Sequence, residues 1–498
     1  MLDLLPFGAG AWAVIIVYIG SLLLFGWYGY RSRRGNTLND FYLAGSGFGV
    51  LVLLLTLYAT QFSGNTFFGF TGMTYRIGFS WIMSVYFMLS IIAFYLVYAL
   101  RLRALSGRHN FITPVDYLSH RFRSKTLNLL AALVMILALG NFLLAQLMAM
   151  GRAMQGMTGG NPDAAYSYGV VALALIMVIY GTLGGLRAVA WTDVVQGTVL
   201  FVGFLLLISA LFMKFGPLSI ATTAILDSPD AHKVLLPDAG RMREWLSYIL
   251  IIGMGGALYP QAIQRIYAAR SEKVLRQSLA VMAFLPFIST LVAVIAGIYA
   301  IAYIPGLDGV QTDEVLARIF RLLQQDSGFG YWLVVILFAA VISAMMSTAD
   351  SALLTISSMI TKDIYGEYFR RSASQAELTR VGKLCSWAFI VVLVWLAIAL
   401  QDKASLIDLL DRKFDLLVQL VPAFMLGIRW GNLRAGPVVI GLIAGLAVSL
   451  TLAFGPFGFV SAGKIWGFHP GLYGLFINFA IAISGSLSQR SSGHYSSQ

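Results

Sequence analysis

Ser347 and Thr348 follow Ala344 by three and four residues inside the apolar run 338–351. On a helix both hydroxyls then point back toward the Ala344 carbonyl on one face. Three hard oxygens on one face suit a small hard cation, by the logic that puts Ca²⁺ and Mg²⁺ in oxygen cages. A Ser–Thr pair in a membrane helix also has a plainer use, bonding back to its own ladder. The stretch that would complete a cage is Tyr58-Ala59-Thr60-Gln61-Phe62-Ser63-Gly64-Asn65-Thr66, which interrupts an apolar segment from about 48 to 74 and is followed by Gly69 and Gly72. A helix entering there loses its hydrogen-bond ladder for a turn and frees the Ala59 and Phe62 carbonyls. Such groups are costly in hydrocarbon unless something uses them. Ala59, Phe62, Ala344, Ser347 and Thr348 together offer a five-oxygen cage of the kind that holds sodium. Discontinuous helices at the membrane midplane are how many secondary transporters bind ions and solutes.

Two carboxylates stand near these elements. Asp350 lies just beyond Ser347-Thr348, and an ionisable residue at membrane depth is a functional candidate; it is expected to face a wet cavity or to bond a neighbouring helix. Asp193 follows the turn Tyr180-Gly181-Thr182-Leu183-Gly184-Gly185 and enters the next helix near its N-terminus, where the dipole favours a carboxylate. Helix capping and ion handling both explain it. A second polar break, Gly253-Met254-Gly255-Gly256 with Pro260, lies five spans after the first. Close helix packing explains small-residue runs too, but paired breaks in two halves of a chain point to an inverted-repeat transporter with its site between them.

The elements that must position these residues are membrane helices. The chain has 498 residues, 59% hydrophobic and 11% charged, and a helical span needs about 20 largely apolar residues. Hydropathy gives thirteen candidate spans, at about 9–30, 46–73, 79–100, 127–155, 168–186, 190–213, 245–267, 277–304, 330–360, 383–400, 414–430, 437–455 and 469–486. The first lacks a basic leader and is expected to be retained. Thirty-four Lys plus Arg against 22 Asp plus Glu give a formal charge of +12. The basic residues fall in short loops, which reads as orientation by the positive-inside rule and not as nucleic-acid binding. With the N-terminus outside, inside loops hold Arg101, Arg103, Lys125, Arg265 and Arg270, outside loops hold Asp230, Asp313 and Glu314, and the C-terminus is cytoplasmic. Val315, Leu316, Ile319, Phe320 and Leu323 recur at helical spacing; a short amphipathic helix over the outer face and a plain connector both fit. Residues 489–498 are short, polar and Ser-rich, expected to form a disordered tail. The one cysteine, Cys385, excludes an intrachain disulfide, and the five histidines form no HExxH-type pair.

These residues together resemble the solute:sodium symporter family over nearly the whole chain. The likeness rests on the break from Ala59 to Gly64, on Tyr180-Gly181 through Asp193 and Gln196, and on Pro260-Gln261 with Arg265 and Ala268-Ala269. It rests also on Ser343 to Ser351 with Ser357-Ser358 and Lys362-Asp363-Ile364-Tyr365, and on Gln419 with Pro422. The resemblance implies an all-α polytopic membrane protein of thirteen transmembrane helices built on the five-plus-five inverted repeat of the leucine-transporter fold. It would form a single transporter domain over 1–488: an extra N-terminal span 9–30, repeat one 46–213, repeat two 245–430 and additional spans 437–486.

The resemblance further implies that Ala59, Phe62, Ala344, Ser347 and Thr348 bind sodium and that Asp193 serves ion release. Solute would lie between Gln61, Ser63, Asn65 and Thr66 on the first broken helix and Gly253, Gly256, Tyr259 and Gln261 on the second. Gln61, between two cage carbonyls, is expected to turn to the other side of the break, with small residues opposite leaving room. The family's proline transporters carry an acid where Gln61 stands and aromatics where Asn65, Ile252 and Gly256 stand, which argues against proline; pantothenate-like and monocarboxylate-like branches look nearer. The expected activity is sodium-coupled symport of a small polar organic solute (carboxylate, amino acid or vitamin-like) into the cell by alternating access, in a bacterial inner membrane. No enzyme activity, nucleic acid or obligate protein partner is expected. Proton coupling in the same fold would call for an acid in the cage, a solute sensor for an output domain, and a membrane enzyme for a zinc or nucleophile motif.

Overall fold

A computed structural model describes residues 6–31, 38–181, 185–455 and 463–494. The membrane helices are α1 (Ala9–Arg31), α2 (Val50–Gln61), α3 (Phe70–Ile77), α4 (Met83–His109), α5 (Lys125–Met157), α6 (Pro162–Gly181), α7 (Gly185–Phe215), α8 (Ala239–Ala257) and α9 (Pro260–Ala268). The chain continues through α10 (Glu272–Met282), α11 (Leu285–Tyr303), α12 (Val315–Asp326), α13 (Gly328–Ser358), α14 (Gln375–Ala399), α15 (Leu406–Leu417), α16 (Ala435–Phe454) and α17 (Pro470–His494). Among the described residues β structure is limited to two isolated bridges, as expected where backbone groups must be satisfied within each segment. Many helices start on a side-chain cap that accepts from an otherwise orphaned amide: Ser124 from Leu127, Asp238 from Arg241, Ser271 from Val274, Ser327 from Gly330 and Ser405 from Asp408.

The span count differs from the expected thirteen. Among the described residues ten helical stretches are long and apolar enough to cross a membrane, and eleven if the pair α8 and α9, bent by 50°, counts as one. The other expected spans, 46–73 and 414–430, are broken: the first into α2, too short to qualify alone, and a π-helical turn Asn65–Gly69 with α3 that run on into α4, and the second into the end of α15 and short turns after it. Large apolar side chains on the outside, such as Val17, Val391, Trp395 and Phe476, fit lipid as solvent.

At the centre lies α13, with every residue from 337 to 356 buried. It packs against α7, α5, α2 and α1. The periodic residues of 315–323 do form a helix, α12, which seats its apolar face on α13 and α5. Helix α17 continues to His494, so residues 489–494 of the expected disordered tail are helical, and 495–498 lie outside the described residues. The turn residues Thr182, Leu183 and Gly184 also lie outside them. Arg265 is not in a loop: it sits in α9 and is wholly buried. Asp313 and Glu314 are likewise buried instead of solvated.

Candidate functional site

The first break is built by its own side chains. Phe62 turns to extended backbone at φ −95° and ψ 108° and ends α2. The amides that would continue the ladder are diverted: Ser63 N–H to the Thr66 hydroxyl at 3.3 Å, Gly64 N–H to Gln146 Oε1 at 3.0 Å, and Asn65 N–H to the Ser63 hydroxyl at 3.3 Å. Thr66 N–H bonds the Ser63 carbonyl at 2.9 Å. The carbonyls of Ala59, Thr60, Gln61 and Phe62 are thereby released from the helix ladder. A Cβ on Gly64 would lie 2.9 Å from both Ala149 Cβ and Met345 Cγ, so only glycine lets the break approach α5 and α13 this closely.

Onto the released Ala59 carbonyl converge two hydroxyls of α13, Ser347 at 2.8 Å and Thr348 at 3.2 Å. Ser347 also reaches the Ala344 carbonyl at 3.5 Å. Four of the five expected cage residues are thus brought together across two helices, with both side chains fully buried. Phe62 contributes a released carbonyl that no side chain contacts among the described residues. Hydroxyls that donate to a carbonyl keep lone pairs that a shared hard cation can use.

A polar seam leads away from this cluster along α13 through Ser351, Thr355 and Ser358. Thr60 lies 3.5 Å from Ser351. Arg265 bonds Thr56 at 2.7 Å, Asp193 at 2.8 Å and the Ser351 hydroxyl, and Thr56 also donates to Asp193. Asp193 is therefore no helix cap; it is a fully buried ion-pair partner. Below it Gln264 accepts from Thr355 at 2.7 Å and donates to Ser358 at 2.9 Å. Asp350 meets neither expectation: it is buried, and neither carboxyl oxygen has a hydrogen-bond partner among the described residues.

On the other side of the break is a closed cavity with about 20 Å³ of water-accessible volume, room for roughly one water molecule. Gln61, Ser63, Asn65, Thr66 and Tyr259 line it, as expected. Gln61 Nε2 donates to Tyr95 OH at 3.0 Å and Asn65 Nδ2 to the Leu406 carbonyl at 3.0 Å. Ser63 and Thr66 spend their hydroxyls on the break itself.

Gly253 and Gly256 do not face open room. A Cβ on Gly253 would meet Ser90 Oγ at 2.3 Å, and one on Gly256 would meet Ile91 Cδ1 at 2.8 Å; both exist so that α8 can pack on α4. Gln261 is buried outside the cavity with its amide unpartnered among the described residues. Ile252 forms the wall expected from the two glycines.

Sequence reasoning missed Lys413, Phe142 and Phe414 in the cavity wall and the coupling of Arg265 to Asp193. The seam had a signal: Ser347, Ser351, Thr355 and Ser358 recur at four, four and three residues, one face of a helix.

Comparison with known proteins places the chain in a family and a fold. The family model described as "SSF: Sodium:solute symporter family" matches residues 41–445. The chain is 28% identical over 454 residues to the sodium/proline symporter of Escherichia coli, covering 88% of this chain and 87% of that protein. It is 26% identical over 441 residues to the osmoregulated proline transporter OpuE of Bacillus subtilis, covering 87% of each. A solved Na⁺-coupled sialic acid symporter, in a substrate-bound outward-open state, superposes with a TM-score of 0.76 at 22% identity over 97% of both chains.

Proposed function

The chain belongs to the sodium:solute symporter family, and from that premise we propose how this member works. It is an integral membrane transporter of the leucine-transporter type that couples sodium to a small organic solute. Sodium is held by the Ala59, Phe62 and Ala344 carbonyls and the Ser347 and Thr348 hydroxyls. The observation that carries this assignment is the convergence of both hydroxyls on the Ala59 carbonyl, which the break has released. Asp193, on the seam below, handles the ion on its way to the cytoplasm.

Solute occupies the cavity beside Gln61, Asn65, Thr66 and Tyr259 once the walls part. The candidates are carboxylates, amino acids and vitamin-like molecules. Relatives named as proline transporters raise proline as one of them; the family residues expected for proline are absent at Gln61 and Asn65, and the Gln61 amide is engaged by Tyr95.

The thirteen-span reading counts the two broken segments as crossings, with repeats at 46–213 and 245–430. The N-terminus is outside and the C-terminus inside, in a bacterial inner membrane, with basic loops on the cytoplasmic face. Labelling of Lys125→Cys from outside intact cells, in a Cys385→Ala background, would overturn that orientation.

Energetically, a potential near 100 mV contributes about 2.3 kcal/mol per charge and a tenfold sodium gradient about 1.4 kcal/mol more. One sodium per cycle then supports roughly several-hundred-fold accumulation. The test is uptake of labelled carboxylates, amino acids and sugars into proteoliposomes, with a sodium gradient, a proton gradient or neither. Uptake that follows the proton gradient and ignores sodium would sink the reading.

A further inference from the structure

Lys413 is on α15, whose buried face presents Leu406, Leu410, Phe414 and Leu417 at helical spacing. A lysine at a core position on that face is unusual, because Lys is almost never fully buried unless paired. Yet Lys413 is 1% exposed. Among the described residues no carboxylate comes within ion-pair distance of it. The acids of its own helix are spent elsewhere. Asp408 caps Ser405. Asp411 turns to Lys464, His469 and Tyr248. Asp415 takes Arg412 at 2.8 Å and Gly471 N–H at 2.7 Å.

The ammonium lies instead over aromatic faces, with Nζ 3.8 Å from the Phe142 ring centre, 5.1 Å from Phe414 and 5.3 Å from Tyr259. Cation–π contact offsets part of the lost hydration. It does not supply a counter-ion. Those three rings and Lys413 all line the closed cavity beside Gln61.

We propose that the transported solute is a small organic anion, a carboxylate on an apolar body, and that Lys413 is its counter-ion. The inference rests on the symport reading and deepens it. Lys413 is the one charged side chain in the cavity wall among the described residues. An anion therefore gives the ammonium form of Lys413 the counter-charge it lacks, whereas the ammonium of an amino acid finds no acid in the wall to receive it. The carboxylate accepts from Lys413 Nζ, and the Gln61 and Asn65 amides, which line the same cavity and each make one N–H bond elsewhere, have a second N–H to offer another oxygen. The apolar body packs on Phe142, Tyr259 and Phe414. Burying such a pair is favourable where a lone buried charge was the alternative.

The test compares acids with their isosteric amides. The purified full chain in lipid nanodiscs is heated with acetate, propionate, lactate or benzoate, and with the matching amides, in sodium and in choline. At least one acid is expected to raise the unfolding temperature in sodium while its amide does not. Lys413→Met, which keeps length and removes charge, is expected to weaken that acid's apparent affinity by about thirty-fold or more, and Lys413→Arg to retain most of it. The shift produced by sodium alone reports folding and the ion site in each variant. Three results each overturn the proposal: no acid shifts the wild type, an amide matches its acid, or Lys413→Met responds to the acid like the wild type. If the sodium-only shift persists in those cases, the symport reading stands. If sodium alone shifts nothing and no solute uptake follows its gradient, both fall together.

Discussion

Arg265 and Asp193 form an ion pair at 2.8 Å in which both side chains are wholly buried. One is on α9, beyond the second break, and the other on α7, so the pair ties the lower half of a broken helix to an unbroken one. Thr56 of α2 bonds both partners, which joins the two broken helices through one carboxylate. Removing one side of a buried pair strands the other, at a cost of about 3–5 kcal/mol. Asp193→Leu is expected to lose that much stability, while Asp193→Leu with Arg265→Met loses clearly less than the sum of the two single changes. Thermal unfolding of the four proteins closes the cycle; strict additivity would mean that the pair does not couple.

Ser347→Ala with Thr348→Ala takes two of five oxygens from the proposed ion cage. Hydrogen bonds and ligation by such groups to a charge are worth about 1.5–3 kcal/mol each. The sodium concentration for half-maximal uptake should rise at least about tenfold. Protein abundance in the membrane should change far less. A well-expressed double variant with wild-type sodium dependence would remove these residues from the cage.

Gln61→Ala separates the two sides of the break. It deletes the donor to Tyr95 OH and leaves the Ala59 carbonyl in place. Loss of a polar contact to solute, on the order of 1–3 kcal/mol, lowers solute affinity roughly five- to a hundred-fold. Sodium binding measured without solute should stay nearly intact. The opposite pattern would put Gln61 in the ion site.

Asp313 gives a pH signature outside the membrane helices. Burial lifts its carboxyl from 3.8 to about 6, against the opposing pull of Arg76 at 3.1 Å and the Leu406 N–H at 2.7 Å. The folded protein then holds a proton that the unfolded chain has released, so between about pH 4 and 6 stability falls as pH rises. Asp313→Asn, neutral at every pH, should lack that fall. Unfolding free energies of the two proteins should therefore diverge across this window, by about 3 kcal/mol at most, and run parallel above it. Parallel curves throughout would show that Asp313 ionises normally.

The fold class was legible because hydrocarbon leaves the backbone few choices, so apolar runs map onto helices with little ambiguity. The meeting of Ser347 and Thr348 with the Ala59 carbonyl was legible for a related reason: hydroxyls three and four residues from a carbonyl, and a polar interruption in an apolar run, are both local patterns. What failed was non-local. Gly253 and Gly256 look like open space in a sequence and prove to be filled by Ser90 and Ile91, because a glycine shows that something is close without saying what. Arg265 reads as a loop charge until Asp193, 72 residues away, is seen beside it. Lys413 was invisible amid Asp411, Arg412 and Asp415, where a run of charges reads as a solvated face.

The proposed sodium cage takes Ala59 from α2 and Ala344, Ser347 and Thr348 from α13, and this division makes such a cage a ruler. Sodium–oxygen attraction falls off steeply beyond contact distance, so sliding the two helices apart by an ångström or two unmakes the site without deforming either helix. The break in α2 is held by hydrogen bonds to Thr66, Ser63 and Gln146, none of them in the proposed cage, so ion binding is not what folds it. Ion affinity therefore reports the spacing of two rigid bodies, and sodium tightens that spacing only to the extent that it prefers one value of it. By reciprocity, whatever fixes the spacing from elsewhere, a solute or a lipid, sets the sodium affinity by the same factor.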